Sequence, residues 1–457
     1  MADIASATPA SDENGGVRRR VADLAVEPSP NGKPRRRSDD GWLDRWVETV
    51  SDLTRLKNTH PMVDAIIDEQ RGRRIRIGDQ WLADFASCNY LGFDLDDEII
   101  ASIPEYIAKW GTHPSWSRLL GNPKMYPEIE EQMTDLLGCQ DVLVLPTITH
   151  IHTSVIPVLV GDGTIFVDGR AHKTIYDGAM YASGHGATIV RFRHDDPDHL
   201  AELMSDSMYA YPRVIALDGV NSMTGNTPNL GRFSELAAEH QALLYVDDAH
   251  GFGVIGQRSP EELCDYGVGG NSVFRHLDVP YDNAILVAGF SKSYSSLLAF
   301  MALPTGLKDA LKVLAPPYLY SGPSPIASLA TVLSGLEVNR ARGDEIRHRL
   351  WQKTHRVLAT LDGLGIETPN TSGLPIIEVP LANNEEIDEV GRYLFDHGIY
   401  VTMAAYPLVP RDKVGFRIQM TAANDDDQID ELIGVLTSLK ERFQLHQVAT
   451  AGAPSRS

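Results

Sequence analysis

Between about residues 140 and 300, short runs of β-branched and apolar residues alternate with stretches of helical periodicity. That alternation predicts parallel strands joined by crossover helices. Strands are expected at Asp141 to Leu145, Thr164 to Asp168, Thr188 to Phe192, Val214 to Asp218, Leu243 to Asp247 and Ile285 to Ala288. Their near-continuous hydrophobicity implies burial on both faces, as in a sheet covered by helices. A long helical stretch from about Pro325 to Leu361 then gives way to a different pattern. Pro375 to Val379, Tyr400 to Thr402 and Phe416 to Met420 read as strands, with helices at Glu385 to His397 and Asp427 to Leu439.

The expected organisation is an α/β large domain over residues 101–325 and a smaller α+β domain over 326–445. An N-terminal arm with helices precedes them over 41–100. Residues 1–40 are rich in Ser, Pro, Gly and Asn and carry two basic triplets, Arg18 to Arg20 and Arg35 to Arg37, among acids such as Asp12, Glu13 and Asp23. They read as a disordered tail, as do residues 446–457. A chain of 457 residues with 43% hydrophobic composition can bury one large core and a satellite.

Charge and cysteine usage narrow the function classes. A formal charge of −21 argues against a nucleic-acid surface, which needs clustered Lys and Arg, and the only such clusters lie near the N-terminus. Three cysteines, Cys88, Cys139 and Cys264, form no CxxC pair, which points to ordinary thiols in a reducing cytoplasm. No apolar stretch approaches the ~20 residues needed to span a bilayer. His150 and His152 form a His-x-His pair, but a helical reading puts them on different sides and no third ligand is evident, so no metal is expected.

In open α/β sheets the chemistry collects at the carboxyl ends of the strands. This sequence puts Asp168, Asp218, Asp247 with His250, and Lys292 at those ends. Lys292 lies in Ala288-Gly289-Phe290-Ser291-Lys292-Ser293, beside small and hydroxyl residues just after a strand. An amine held and partly desolvated there favours the neutral form that makes an imine with an aldehyde. Asp247, in Tyr245-Val246-Asp247-Asp248-Ala249-His250-Gly251, can pair with a protonated ring nitrogen and keep the ring an electron acceptor. Together the two segments point to pyridoxal phosphate on Lys292.

These segments, with Ser87-Cys88-Asn89-Tyr90-Leu91-Gly92, Ser117-Arg118-Leu119, Asp218-Gly219-Val220-Asn221-Ser222-Met223-Thr224-Gly225 and Arg417-Ile418-Gln419-Met420-Thr421, give the chain a clear likeness. From about Phe85 to Leu439 it resembles the α-oxoamine synthases, fold-type I pyridoxal-phosphate enzymes. The resemblance implies a mostly parallel seven-stranded sheet covered by helices, with a smaller C-terminal domain. It implies that His172 stacks on the cofactor ring, that His250 and Ser222 lie near the phenolic oxygen, and that Asp218 stands where a glutamate is common. Arg417 matches the arginine that grips the amino-acid carboxylate, and Asn89 a residue on the substrate's entry side. Tyr320-Ser321-Gly322 resembles a segment reaching the neighbouring subunit's phosphate, which implies a homodimer in which Ser321 and Gly322 complete the partner's site.

The sequence departs from that pattern at the phosphate. A Gly-aromatic pair usual at a helix N-terminus is here Ile148-Thr149, in Leu145-Pro146-Thr147-Ile148-Thr149-His150-Ile151-His152. Backbone amides there can still hold phosphate. Thr147 and Thr149 either add hydroxyl donors or cap the helix. Three residues before Lys292, a Ser or Thr that often touches phosphate is Gly289, and Ser291 is the candidate replacement. Ala405 stands where 8-amino-7-oxononanoate synthases tend to carry an extra arginine.

The resemblance implies condensation of an amino acid with an acyl thioester, on coenzyme A or a carrier protein, with decarboxylation to an α-amino ketone. An aminotransferase shares the Asp and Lys logic and is the alternative. It would more typically show a Tyr in place of His250 and an Asn-Pro-rich substrate segment. A cofactor-binding regulator would need a DNA-binding module that residues 1–40 are too short to form.

Overall fold

The computed structural model describes residues 50–206 and 208–446. The expected tail over 1–40 and all but His446 of that over 446–457 lie outside the described residues. Residues 69–84 form an antiparallel meander of β1 (Glu69–Arg71), β2 (Arg74–Ile77) and β3 (Gln80–Asp84). This corrects the expectation of only an arm and helices over 41–100, although helices do occupy Ser51–Thr59 and Asp97–Trp110. The strands were hidden because β2 and β3 are short and interleave Arg, Gln and Asp with their apolar residues.

The central sheet has seven strands: β4 (Asp141–Leu145), β5 (Thr164–Asp168), β6 (Thr188–Phe192), β7 (Arg213–Asp218), β8 (Leu243–Asp247), β9 (Ala284–Gly289) and β10 (Ala299–Leu303). They lie in the order β4-β10-β9-β8-β7-β5-β6. Only β10, absent from the sequence reading, runs antiparallel to its neighbours β4 and β9. Alternation along each strand feeds two separate cores. Val142 and Val144 of β4 join one apolar cluster, whereas Leu143 and Leu145 join the other. Each fully buried side chain of this size contributes roughly 1.5–3 kcal/mol, so both faces must be covered.

Two helices, Ile148–Val160 and Lys173–Ser183, pack side by side on one of those faces. Gly178 permits their close approach, since a Cβ there would come 2.4 Å from the His152 carbonyl oxygen.

The 38-residue helix Ile326–Gly363 leads into the C-terminal region. There β11 (Ile376–Pro380), β13 (Thr402–Ala404) and β14 (Gly415–Gln419) form an antiparallel sheet in the order β11-β14-β13. The stretch expected as one strand over Tyr400 to Thr402 is two. β12 (Ile399–Tyr400) pairs in parallel with β3, and β13 pairs with β14. Helices Ile387–Asp396 and Asp426–Arg442 complete the region, the second opened by a capping box between Asp425 and Gln428.

Candidate active site

The carboxyl ends of β7, β8 and β9 surround a cavity of about 350 Å³. Cross-strand register sets Asp218 opposite Asp247. Lys292 follows β9 in a tight turn closed by the Ser295 amide on the Lys292 carbonyl, 3.0 Å. The cavity is lined by Lys292, Asp247, His250, His172, Ser222, Asp218, Ile148, Thr149 and Ser291, and also by Thr147, all singled out in the sequence. Arg417, Asn89, Ser321 and Gly322 are not among its lining residues.

Desolvation drives the electrostatics. Loss of hydration holds the Lys292 ammonium below its ordinary pKa, against the opposing pull of Cys88 and Asp247. Burial, and then the neighbouring charge of Asp247, raises the Asp218 carboxyl well above the usual range. Asp218 Oδ1 accepts the His172 backbone N–H at 2.9 Å, while Oδ2 is buried without a partner. A protonated Oδ2 is a hydrogen-bond donor in need of an acceptor. Asp247 Oδ1 takes the Ala249 N–H at 3.0 Å.

His250 is buried and held neutral, its pKa well below the usual range through burial and then the Lys292 charge. Its Nδ1 lies 2.7 Å from the hydroxyl of buried Tyr90, leaving Nε2 for the cavity. Tyr90 was visible in the sequence only as part of a motif. Its partner 160 residues away had no local signal.

His172 is the N-cap of helix Lys173–Ser183 and its ring, exposed to the cavity mouth, has a pKa lowered first by desolvation. Neither histidine of the His-x-His pair lines the cavity. His150 is exposed, whereas His152 is buried and aims Nε2 at Asp247 Oδ2 from 3.6 Å. Among the described residues no group of three or more His, Cys, Asp or Glu is placed to hold a metal.

The phosphate end differs from expectation in a way packing explains. Thr147 accepts the His150 N–H at 3.2 Å and so is the helix N-cap. Thr149 lines the cavity. Gly289 leaves the room that the Ile148 side chain fills. The first-turn amides of a 13-residue helix, the Ser291 hydroxyl, an amine opposed by a carboxylate and an orphaned acid together fit pyridoxal phosphate.

Arg417, on β14, donates from Nη1 to the Ser222 carbonyl at 2.6 Å, and its Nε is buried without a partner. Asp168, at the end of β5, is instead occupied by His194 at 2.9 Å and by two backbone amides.

The family described as Aminotransferase class I and II matches residues 84–436. A serine palmitoyltransferase of Sphingobacterium spiritivorum is 29% identical, over 84% of this chain and 92% of that protein. An 8-amino-7-oxononanoate synthase of Symbiobacterium thermophilum is 28% identical, over 88% of this chain and 99% of that protein. The solved Sphingomonas wittichii serine palmitoyltransferase superposes with a TM-score of 0.78 at 24% identity, covering 88% of this chain and 98% of its own. The chain belongs to the aminotransferase class I and II family and is a pyridoxal-phosphate enzyme of fold type I.

Proposed function

We propose that the protein is an α-oxoamine synthase that joins an amino acid to an acyl thioester with loss of carbon dioxide, giving an α-amino ketone. The observation that carries this reading is the cavity itself, where the Lys292 amine, held below its ordinary pKa by desolvation, faces Asp247, Asp218, His172 and His250. The resemblance of these segments to α-oxoamine synthases, and relatives with that chemistry over most of the chain, supply the reaction class.

When bound, pyridoxal phosphate supplies an electron sink for negative charge at the substrate's α-carbon. Lys292 would hold the cofactor and would take the substrate's α-proton on Nζ; its lowered basicity favours the neutral amine that this task needs. Asp247 would pair with the ring nitrogen, the His172 ring would cover the cofactor, and His250 and Ser222 would address its phenolic oxygen. Burial and the neighbouring Asp247 charge favour the protonated form of Asp218, whose orphaned Oδ2 lies at the same cavity. Amides of Ile148 and Thr149, with the Ser291 hydroxyl, would bind the phosphate. Arg417 grips the substrate carboxylate by releasing the Ser222 carbonyl, and Asn89 guards the entry side.

A homodimer with shared sites belongs to this reading, with Ser321 and Gly322 reaching the partner's phosphate. It is supported by apolar side chains left exposed: Tyr320 is 84% exposed, Leu120 83% and Leu297, which lines the cavity, 58%. Coenzyme A or a carrier protein presents the acyl group. No helix among the described residues is long and apolar enough to cross a membrane, and three free cysteines fit a reducing cytoplasm.

Purified cofactor-loaded protein incubated with amino acids and acyl thioesters is expected to release free thiol and carbon dioxide together. Conversion of the amino acid to a keto acid without thiol release overturns the proposal in favour of transamination.

A further inference from the structure

Four side chains at this site stand in one row. Asp247 Oδ2 lies 3.6 Å from His152 Nε2. His152 Nδ1 lies 2.9 Å from Thr174 Oγ1, and the same hydroxyl is 2.7 Å from His172 Nδ1. The row runs from the end of β8, through the interior of helix Ile148–Val160, to the first turn of helix Lys173–Ser183. Gly178, one turn beyond Thr174, sets how closely the His152 backbone approaches that second helix. His152 is fully buried, and its Nε2 has no hydrogen-bond partner, Asp247 Oδ2 at 3.6 Å being a charge contact only.

The protons in this row can be counted. A threonine hydroxyl has one hydrogen to donate. Thr174 touches two imidazole Nδ1 atoms, so it donates to one and accepts from the other. The far end decides which. A carboxylate offers only lone pairs, so an N–H on His152 Nε2 is attracted to Asp247 and a bare Nε2 is repelled. Burial pushes the His152 pKa down to about 4, so the ring carries a single proton at neutral pH. With that proton on Nε2, Nδ1 is bare and takes the Thr174 hydrogen. Thr174 then accepts from His172.

We propose that His152 and Thr174 are positioning residues that fix His172 as its Nδ1–H tautomer, presenting a bare Nε2 to the cavity as an acceptor for an N–H or O–H of the bound amino acid. The proposal rests on the reading of His172 as the residue over the cofactor. One contact competes with it: the Thr174 backbone N–H lies 3.4 Å from His172 Nδ1 and asks for a lone pair there. The hydroxyl contact at 2.7 Å is the shorter, and a first-turn amide beside the open cavity can be hydrated instead.

The test is the tautomer itself, read by long-range proton–nitrogen correlation NMR on cofactor-loaded protein with ¹⁵N-labelled histidine. His172 is expected as Nδ1–H in the native protein and in Thr174→Ser, which keeps the hydroxyl. His152→Phe frees the Thr174 hydrogen for His172 and is expected to move its proton to Nε2. Thr174→Val removes the link and is expected to give a mixture. Signals from the other histidines report whether each variant keeps its fold. A native His172 protonated on Nε2, or a tautomer indifferent both to loss of the Thr174 hydroxyl and to loss of the His152 ring, overturns the proposal. Cofactor loading, followed separately by its absorbance, tests the functional reading: loss of that reading leaves the tautomer result standing.

Discussion

Gly289 and Ile148 share one space: a Cβ built on Gly289 would come 2.9 Å from Ile148 Cδ1 and 3.2 Å from Cγ1. Two departures from the expected phosphate pattern, one at the helix N-terminus and one before the lysine, are therefore one packing change.

That coupling predicts non-additivity. Gly289→Ser is expected to weaken cofactor binding about tenfold, about 1.4 kcal/mol, by displacing the Ile148 turn. Adding Ile148→Gly is expected to recover most of the loss. Fluorescence titration of cofactor into the four proteins of the cycle checks it, and strictly additive effects would show that the two sites are independent.

Acid should act through His152. Its pKa is lowered from 6.5 to about 4 by burial, so the unfolded chain binds a proton through that window that the folded chain does not. The stability it confers is complete above about pH 6.5 and is lost as pH falls towards 4, on the order of 3 kcal/mol. Urea unfolding at pH 7 and pH 4 is expected to show a smaller pH difference for His152→Gln than for the native protein. Equal differences would place the acid sensitivity elsewhere.

Arg417 separates substrate binding from cofactor binding. Arg417→Lys keeps a charge but loses the planar fork. It is expected to raise the KM for the amino acid roughly 10- to 100-fold, about 1.4–2.7 kcal/mol, while the cofactor spectrum stays unchanged. A cofactor affinity that falls with it would assign Arg417 to the cofactor instead.

The exposed Leu120 and Tyr320 predict a dimer in solution. Leu120→Glu is expected to shift sedimentation towards the monomer and to lower cofactor retention with it. A native protein that sediments as a monomer with full cofactor removes the shared-site reading.

Much of this was legible along the chain. The buried parallel strands announce themselves by continuous hydrophobicity, and polar residues at their ends mark the cavity before any geometry is known. Strand β10 escaped because Ala299 to Leu303 follows the lysine turn directly and looks like its continuation. The meander β1 to β3 escaped because its strands run three to five residues. At the site, Tyr90, His152 and Thr174 act through partners distant in sequence or on a neighbouring helix. The hint available was helical phase, which separated His152 from exposed His150 but did not say what lay on the buried side.

The amine of Lys292 is the point of attachment on which the whole site depends. Borohydride reduction of the cofactor-loaded protein, followed by digestion and peptide mass spectrometry, is predicted to leave a pyridoxyl group on Lys292 alone, with none retained by Lys292→Ala. A label on another lysine, or undiminished labelling of that variant, contradicts it.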